Sequence, residues 1–406
     1  MDVKSAFLNG DLVEVVYVSQ PPGFTADGRE REVYRLHKAL YGLRQAPRAW
    51  NAKLDASLTS LGFTRSITEH GVYARGTVDA QLIVGVYVDD LVIAGAEQQE
   101  VHRFKQEMKE LFSMSDLGLL RYYLGLEVKQ DRGRTTISQA AYASKLLEKA
   151  GMAGCNPVRA PMEARCQLSK DSKEEPVDAT FYRSIIGSLR YLVHTRADIT
   201  FAVGFLGRFM EAPTSDHLAA VKHLLRYIAG TLNHGLVYRH GDGEQLVGFS
   251  DSDHAGDVDD RKSTSGVLFL LGDSPISWQS VKQKVVATSS CEAEYIAAAT
   301  AASQGVWLAR LHAELLNQPV APVTLLIDNK SAISLCKNPV MHDRSKHIDL
   351  RYHFIRDCVE KGLIIVEYIG TSKQKADILT KPLGRVRFQE LRDMIGIVDT
   401  KLVHQG

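Results

Sequence analysis

Two strongly apolar, β-forming runs, residues 82–88 and 91–95, stand on either side of Asp89-Asp90 with nothing else between them. Runs this dense in Leu, Ile, Val and Tyr are core strands, and two of them joined by so short a link make a hairpin. Two bare carboxylates at a buried or half-buried hairpin repel each other and lose hydration. A polar turn in water would carry the pair without consequence. Flanks this apolar argue instead for a bound divalent cation, whose preference for hard oxygen ligands removes both penalties.

The hairpin is one part of a long chain. At 406 residues the sequence exceeds one ordinary core, so two or three domains are expected. The composition, 45% hydrophobic and 24% charged, is that of a soluble globular protein. Net charge is only +1, so a nucleic-acid partner would have to be held by local basic surfaces. The amino terminus is polar and no uninterrupted apolar run approaches the length of a membrane span, so no membrane partner and no secretion signal are expected. Five scattered cysteines without a C-x-x-C pair point to reduced thiols inside the cell, packed as small hydrophobes, and not to zinc.

Along the chain, a turn-rich start containing Pro21-Pro22-Gly23 precedes a strand at 33–36. A helix runs from Ala46 to Leu61, with Pro47 in its first turn and Gly62 past its end. After the hairpin come a helix at 98–112, a strand at 124–128 and a helix at 142–150. Residues 155–175, with Pro157, Pro161 and mixed charges, read as a linker. Residues 181–231 are helical in pattern, broken near Arg196-Ala197-Asp198 and Ala212-Pro213. From Leu246 the rhythm becomes three strands, a helix, a strand, two helices, a strand and a helix, which suggests a mixed sheet with helices packed on it.

A second set of acids sits in that last region. Val247, Phe249, Asp251 and Asp253 share one parity of a strand. Ser289-Ser290-Cys291-Glu292-Ala293-Glu294 opens a helix with a serine available as its cap. Glu292 and Glu294 lie about 200° apart around it, so only one can face a shared site. Asp328 ends the apolar run 325–327, and Asp377 begins the last apolar-periodic stretch.

These residues support two resemblances. Tyr87-Val88-Asp89-Asp90 resembles the metal-binding hairpin of reverse transcriptases. Met1-Asp2-Val3-Lys4-Ser5-Ala6-Phe7-Leu8-Asn9-Gly10 is similar to that family's first metal-ligand motif in its copia-type wording. Residues 40–50, Leu-Tyr-Gly-Leu-Arg-Gln-Ala-Pro-Arg-Ala-Trp, resemble the motif that lies against template and incoming nucleotide, and residues 123–128 the primer-holding strand. The resemblance implies that Asp2 and Asp89 bridge two metal ions, with Asp90 in support. It also implies that Phe7 blocks a ribose 2′-hydroxyl and that Gln45 and Arg48 bind substrate. In the family the first aspartate follows a whole fingers region, whereas here the sequence starts one residue before it. Asp2 is therefore expected to fray, fingers and integrase to be missing from upstream, and polymerase activity to be impaired.

The second resemblance is to ribonuclease H. Ser250-Asp251-Ser252-Asp253-His254-Ala255-Gly256, Lys346-His347-Ile348-Asp349 and Ala376-Asp377-Ile378-Leu379-Thr380-Lys381-Pro382-Leu383 carry it, again in copia-type wording. It implies Asp251, Glu294, Asp328 and Asp377 as ligands of two Mg²⁺ ions (Mn²⁺ being the alternative), with Glu292 structural or solvent-facing and His347 facing the hybrid. Basic residues Arg183, Arg190, Arg196, Arg208, Lys222, Arg226 and Arg239, interleaved with Tyr182, Tyr191 and Tyr227, suggest a surface that tracks a duplex backbone.

The fold class expected is a multidomain combination of α/β and α+β parts. It comprises a reverse transcriptase palm lacking fingers at 1–165, a helical thumb and connection at 166–240, a ribonuclease H-like mixed sheet with helices at 241–384, and a carboxy-terminal tail at 385–406. The partners implied are RNA template, DNA primer, dNTP and RNA–DNA hybrid, within a cytoplasmic virus-like particle and the nucleus. The rival reading is a nucleic-acid-binding relic without turnover, against which the intact acids speak.

Overall fold

The computed structural model describes all residues except 78–79, 132, 242, 244, 338–352 and 404–406. It resolves into two compact units, one of residues 1–120 with 310–320, the other of 121–309 with 321–406.

The first unit is built on a six-stranded sheet. Its strands are β1 (Asp2–Val3), β4 (Thr64–Arg65), β5 (Val72–Arg75), β6 (Leu82–Tyr87), β7 (Asp90–Gly95) and β8 (Met114–Ser115), in the order β4-β5-β6-β7-β1-β8. A separate hairpin pairs β2 (Asp11–Ser19) with β3 (Val33–Lys38). Helices α1 (Ala46–Ser60) and α2 (Gln98–Leu111) cover the sheet. Trp50, Leu54 and Leu58 of α1 recur at helical spacing and bury one stripe, which meets Phe104 and Met108 of α2 and Val84 and Leu91 of the hairpin. The β6–β7 hairpin forms as expected, but its turn is one residue earlier: Tyr87 pairs with Asp90, so Val88 and Asp89 make the turn and Asp90 begins β7.

The second unit holds two sheets. The first is ordered β18-β12-β11-β10-β9 and contains β9 (Tyr122–Tyr123), β10 (Leu126–Asp131), β11 (Arg134–Ser138), β12 (His234–Arg239) and β18 (Val398–Asp399). The single strand expected at 124–128 is instead a tight hairpin, because Leu124 and Gly125 both take positive φ and Leu126 pairs back to Tyr123. The second sheet is ordered β15-β14-β13-β16-β17, from β13 (Leu246–Ser252), β14 (Thr264–Leu271), β15 (Ser274–Lys282), β16 (Val323–Ile327) and β17 (Ile364–Tyr368). β13 runs antiparallel to β14 and parallel to β16, so the sheet is mixed, in the element order expected.

Helices α3 (Ala140–Lys149), α4 (Ala179–Leu192), α5 (Thr200–Leu206) and α6 (Ser215–Ala229) share one core with Phe249, Leu268 and Leu270 of this mixed sheet. Helices α7 (Ser290–Leu315), α8 (Lys330–Lys337) and α9 (Phe354–Glu360) supply a second core with β16 and β17. No helix among the described residues is long and apolar enough to cross a membrane.

The compact units do not follow the domain limits suggested by the sequence. β12 pairs with β11 on one side and β18 on the other, which sews 126–138, 234–239 and 398–399 into one sheet. The segment read as a linker buries Met162 and packs Val158, Ala160, Cys166 and Leu168 against the helical core. The stretch read as a carboxy-terminal tail packs over residues 385–397, since helix α10 (Arg385–Met394) buries Phe388 and Leu391, and Ile395 and Ile397 follow into the same core. Long-range strand pairing and sparse apolar anchors have no local periodicity, so composition misses them.

Candidate active sites

The acids of the second unit are delivered by four different elements. Asp251 is near the end of β13, and Asp328 directly follows β16. These strands are parallel neighbours with Ser250 opposite Ile327, so both acids leave the sheet at the same level. Glu294 lies in the opening turns of α7, where Ser289 Oγ accepts from Glu292 N at 3.2 Å and caps the helix. Ligand oxygens of Asp251, Glu294 and Asp328 all lie within 4.8 Å of one another. Among the described residues no other group of acids, histidines and cysteines is gathered so closely.

The surroundings hold these side chains in place. Glu294 accepts from Ser252 N at 3.2 Å through one carboxylate oxygen, while the other, Oε2, is buried without a hydrogen-bond donor. Thr380 Oγ1 donates to Asp251 Oδ2 at 2.5 Å. Burial raises the Asp251 carboxyl above its usual range against the pull of Lys381, and burial with the Asp251 and Asp328 charges raises Glu294 further. An orphaned buried oxygen among three carboxylates, all hard donors, is a set that fits Mg²⁺ or Mn²⁺.

Asp377 stands apart from that trio. It is buried on the 3-10 helix Lys375–Leu379, where its carboxylate meets Lys381 Nζ at 2.6 Å and Arg387 at 3.7 Å. Glycine is required at position 266 for this helix to lie on the sheet, because a Cβ there would meet Thr380 Cγ2 at 2.6 Å and Ala376 O at 2.9 Å. Glu292 points elsewhere, accepting from Thr288 N at 2.7 Å. Asp253 caps the start of β14 by accepting from Thr264 N. His347 lies outside the described residues. Tyr295 and His353 hydrogen-bond at 3.0 Å, a packing role.

In the first unit Asp2 is directly opposite Asp90 across the β1–β7 pair and Asp89 occupies the turn beside them. Asp90 is raised from its usual range by burial and by the charges of Asp89 and Asp2. The expectation that Asp2 frays is not met. β1 is paired on both sides, Val3 N donates to Asp89 O at 2.9 Å, Leu91 N donates to Met1 O at 2.8 Å, and Val3 is 1% exposed. Phe7 stacks at a tilt on Tyr41 with centroids 4.5 Å apart. Gln45 is half-buried at the cap position of α1, and Arg48 is exposed in its first turn.

Sequence reasoning missed what supports this hairpin. Val88, β-branched, is held at φ 54°, a costly conformation for such a side chain. Buried Trp50 clamps it, with Nε1 donating to Val88 O at 2.6 Å. Trp50→Phe should therefore destabilise the chain by about 0.5–1.5 kcal/mol, the net worth of the lost hydrogen bond at this part-buried contact. It should also speed amide exchange across residues 86–91; unchanged exchange there would show that the clamp does not hold the turn.

The basic surface expected on the helical middle is smaller than the sequence implied. Arg196 is buried against Asp198, Arg208 pairs with Asp257 at 2.9 Å, and Tyr182 and Tyr227 are core residues. Arg183, Arg190, Lys222 and Arg239 remain exposed. Charge counting cannot separate a basic side chain facing water from one neutralised inside.

Residues 1–164 match the family model "Reverse transcriptase (RNA-dependent DNA polymerase)". The chain is 43% identical over 397 residues to the retrovirus-related Pol polyprotein from transposon RE1 of Arabidopsis thaliana, covering 98% of this chain and 27% of that protein. It is 37% identical over 301 residues to the putative transposon Ty5-1 protein of Saccharomyces cerevisiae, covering 73% of this chain and 98% of that one. The chain belongs to the copia-type retrotransposon Pol family. This Pol chain spans 27% of the length of the RE1 and RE2 polyproteins. Its likeness to the solved amino-terminal RNase H domain of rv2228c from Mycobacterium tuberculosis has 12% identity over 37% of this chain and 98% of that one; at a TM-score of 0.25 it carries no argument.

Two further residues of the second site, Thr380 and Lys381, belong to the stretch that carried the ribonuclease H resemblance, yet had no role assigned. The signal was present in one respect: Asp377 and Lys381 are four apart, the spacing at which helical side chains meet.

Proposed function

We propose that the second unit of this Pol chain hydrolyses the RNA strand of an RNA–DNA hybrid at the site of Asp251, Glu294, Asp328 and Asp377. The observation that carries the reading is the convergence of three carboxylates within 4.8 Å, two of them buried. Asp251, Glu294 and Asp328 would hold the divalent ions, with Asp377 at the side of the site. When bound, two such ions supply an activated water and neutralise the leaving oxygen. The protein's own part is orientation: Thr380 turns Asp251, the Ser252 amide turns Glu294, and the α7 cap fixes the helix that carries it. Lys381 offsets part of the acidic charge from the Asp377 side.

The first unit, by the same reading, is the palm for RNA-directed DNA synthesis, with Asp2, Asp89 and Asp90 as its acids and RNA template, DNA primer and dNTP as its partners. The pairing of Asp2 against Asp90, beside the Asp89 turn, supports this.

The test is cleavage of a labelled hybrid by the 406-residue chain in Mg²⁺. RNA-strand products are expected, and Asp328→Asn should abolish them. Hybrid bound but left intact by the folded parent chain would favour the non-catalytic relic and overturn the reading. In primer extension, any product should disappear with Asp89→Asn; extension that survives this change would remove Asp89 from the polymerase site.

Metal binding should also register as stability. Mn²⁺ at about 100 times its Kd should add about 2.7 kcal/mol to the folded state. Asp251→Asn should remove most of that gain and raise stability without metal, because it relieves like-charge repulsion. A metal-induced rise in Tm that is undiminished in Asp251→Asn would place the binding elsewhere.

A further inference from the structure

Gln374 is wholly buried, at 0% exposure, on the segment that leads into the 3-10 helix carrying Asp377. Its Nε2 donates to Ser250 O at 2.9 Å and reaches Leu326 O at 3.5 Å. Its Oε1 accepts from Ala376 N at 3.2 Å. Ser250 immediately precedes Asp251, Leu326 lies two residues before Asp328, and Ala376 immediately precedes Asp377. A single amide thus touches the main chain of three separate elements, each time within two residues of a carboxylate.

We propose that Gln374 is a positioning residue for the acidic site: it sets the spacing of Asp251, Asp328 and Asp377, and so the site's affinity for a divalent cation. The inference rests on the hydrolase reading above. Only a side chain with a donor and an acceptor on one rigid plane can make these bonds together. Glutamate lacks the donor and methionine lacks both. Backbone pairing already ties β13 to β16, with Ser250 opposite Ile327. Gln374 extends that tie to the Asp377 helix, which belongs to neither strand. Metal ligands must be held to a fraction of an ångström, and outer groups that orient them alter affinity by about 10- to 100-fold.

The experiment is Mn²⁺ titration of the full chain by calorimetry, with Asp251→Asn as the reference that subtracts binding elsewhere. Gln374→Met keeps the volume and removes all three contacts; it should weaken Mn²⁺ binding at the Asp251-dependent site about tenfold. Far-UV circular dichroism should be retained. Gln374→Ala, whose cavity can admit a bridging water, is measured alongside in case the methionine variant does not fold, and should also bind more weakly. A folded variant with lowered Tm but unchanged Mn²⁺ affinity overturns the positioning role and leaves the hydrolase reading standing. Parent chain that shows no Asp251-dependent binding overturns both. Parent chain that binds Mn²⁺ in an Asp251- and Gln374-dependent way but never cuts hybrid upholds the positioning role and removes the hydrolase reading.

Discussion

Glu294→Gln is expected to reduce hybrid cleavage by about two orders of magnitude or more, equivalent to some 3 kcal/mol of barrier, whereas Glu292→Gln stays within about threefold of the parent. The two glutamates are neighbours but one, yet α7 turns them to different surroundings. Glu294 shares its pocket with Asp251 and Asp328, and its Oε2 is buried without a donor, where a cation would bind. The glutamine variant would present a neutral group there and weaken the hold on metal. Glu292 is spent on Thr288, beside the positive end of the helix, so its loss should cost stability of about 0.3–1 kcal/mol and little rate. Single-turnover cleavage at saturating Mg²⁺, with Tm measured in parallel, separates the two effects. Were Glu292→Gln the more damaging to rate, the helical ligand would be misassigned.

Asp198→Ala should destabilise the second unit by about 3–5 kcal/mol, the cost of leaving a buried charge unpaired. Arg196 and Asp198 form a two-pronged pair at 2.8 and 2.9 Å with both side chains at most 1% exposed. Tyr227 OH donates to Asp198 Oδ2 at 2.6 Å, and Arg196 also donates to Thr231 O and Oγ1 at 2.9 Å. Removing the aspartate strands the guanidinium and the phenol together. The loss corresponds to a fall in Tm of roughly 6–20 °C for a unit of this size.

The sign with pH follows from the same contacts. Burial pushes Asp198 upward, but Arg196 and Tyr227 outweigh it and hold the carboxyl below its usual range. Its contribution is therefore fully present above the unfolded carboxylate pKa of about 4 and is lost as pH falls through the lower folded value. The stability gap between parent and Asp198→Ala should narrow in strong acid. A gap below about 1 kcal/mol at neutral pH would mean that the buried pair is dispensable.

The two acidic clusters were legible because both are local signals: an acid next to an apolar run is visible one segment at a time. Asp251, Asp328 and the opening of α7 each announced an element end, and the parity of Glu292 and Glu294 already required that one face away. The structure brings Asp251, Glu294 and Asp328 together and holds Asp377 slightly apart, against Lys381. Gln374 could not be found in this way. Its importance lies in reaching Ser250, 124 positions earlier, and such a bond leaves no trace in periodicity or composition. Arg196 illustrates the converse. It was counted with a basic surface, but its partner two residues on, Asp198, lies with it in the core.

What the sequence by itself determined is the element order of the mixed sheet and the residue types of each site: a β-hairpin with paired aspartates, acids at the strand tips of that sheet, and hard oxygen donors of the kind a divalent cation prefers. Those follow from nearest neighbours and short periods, which the chain carries at every step. Tertiary structure alone decided which elements share a unit. It placed Asp2 in the sheet between β7 and β8, joined residues 126–138 to 234–239 and 398–399, and folded 385–397 into the core. The physical reason is that strand pairing and burial are decided by partners far away in sequence, whose loop-closure cost is met only by the assembled core.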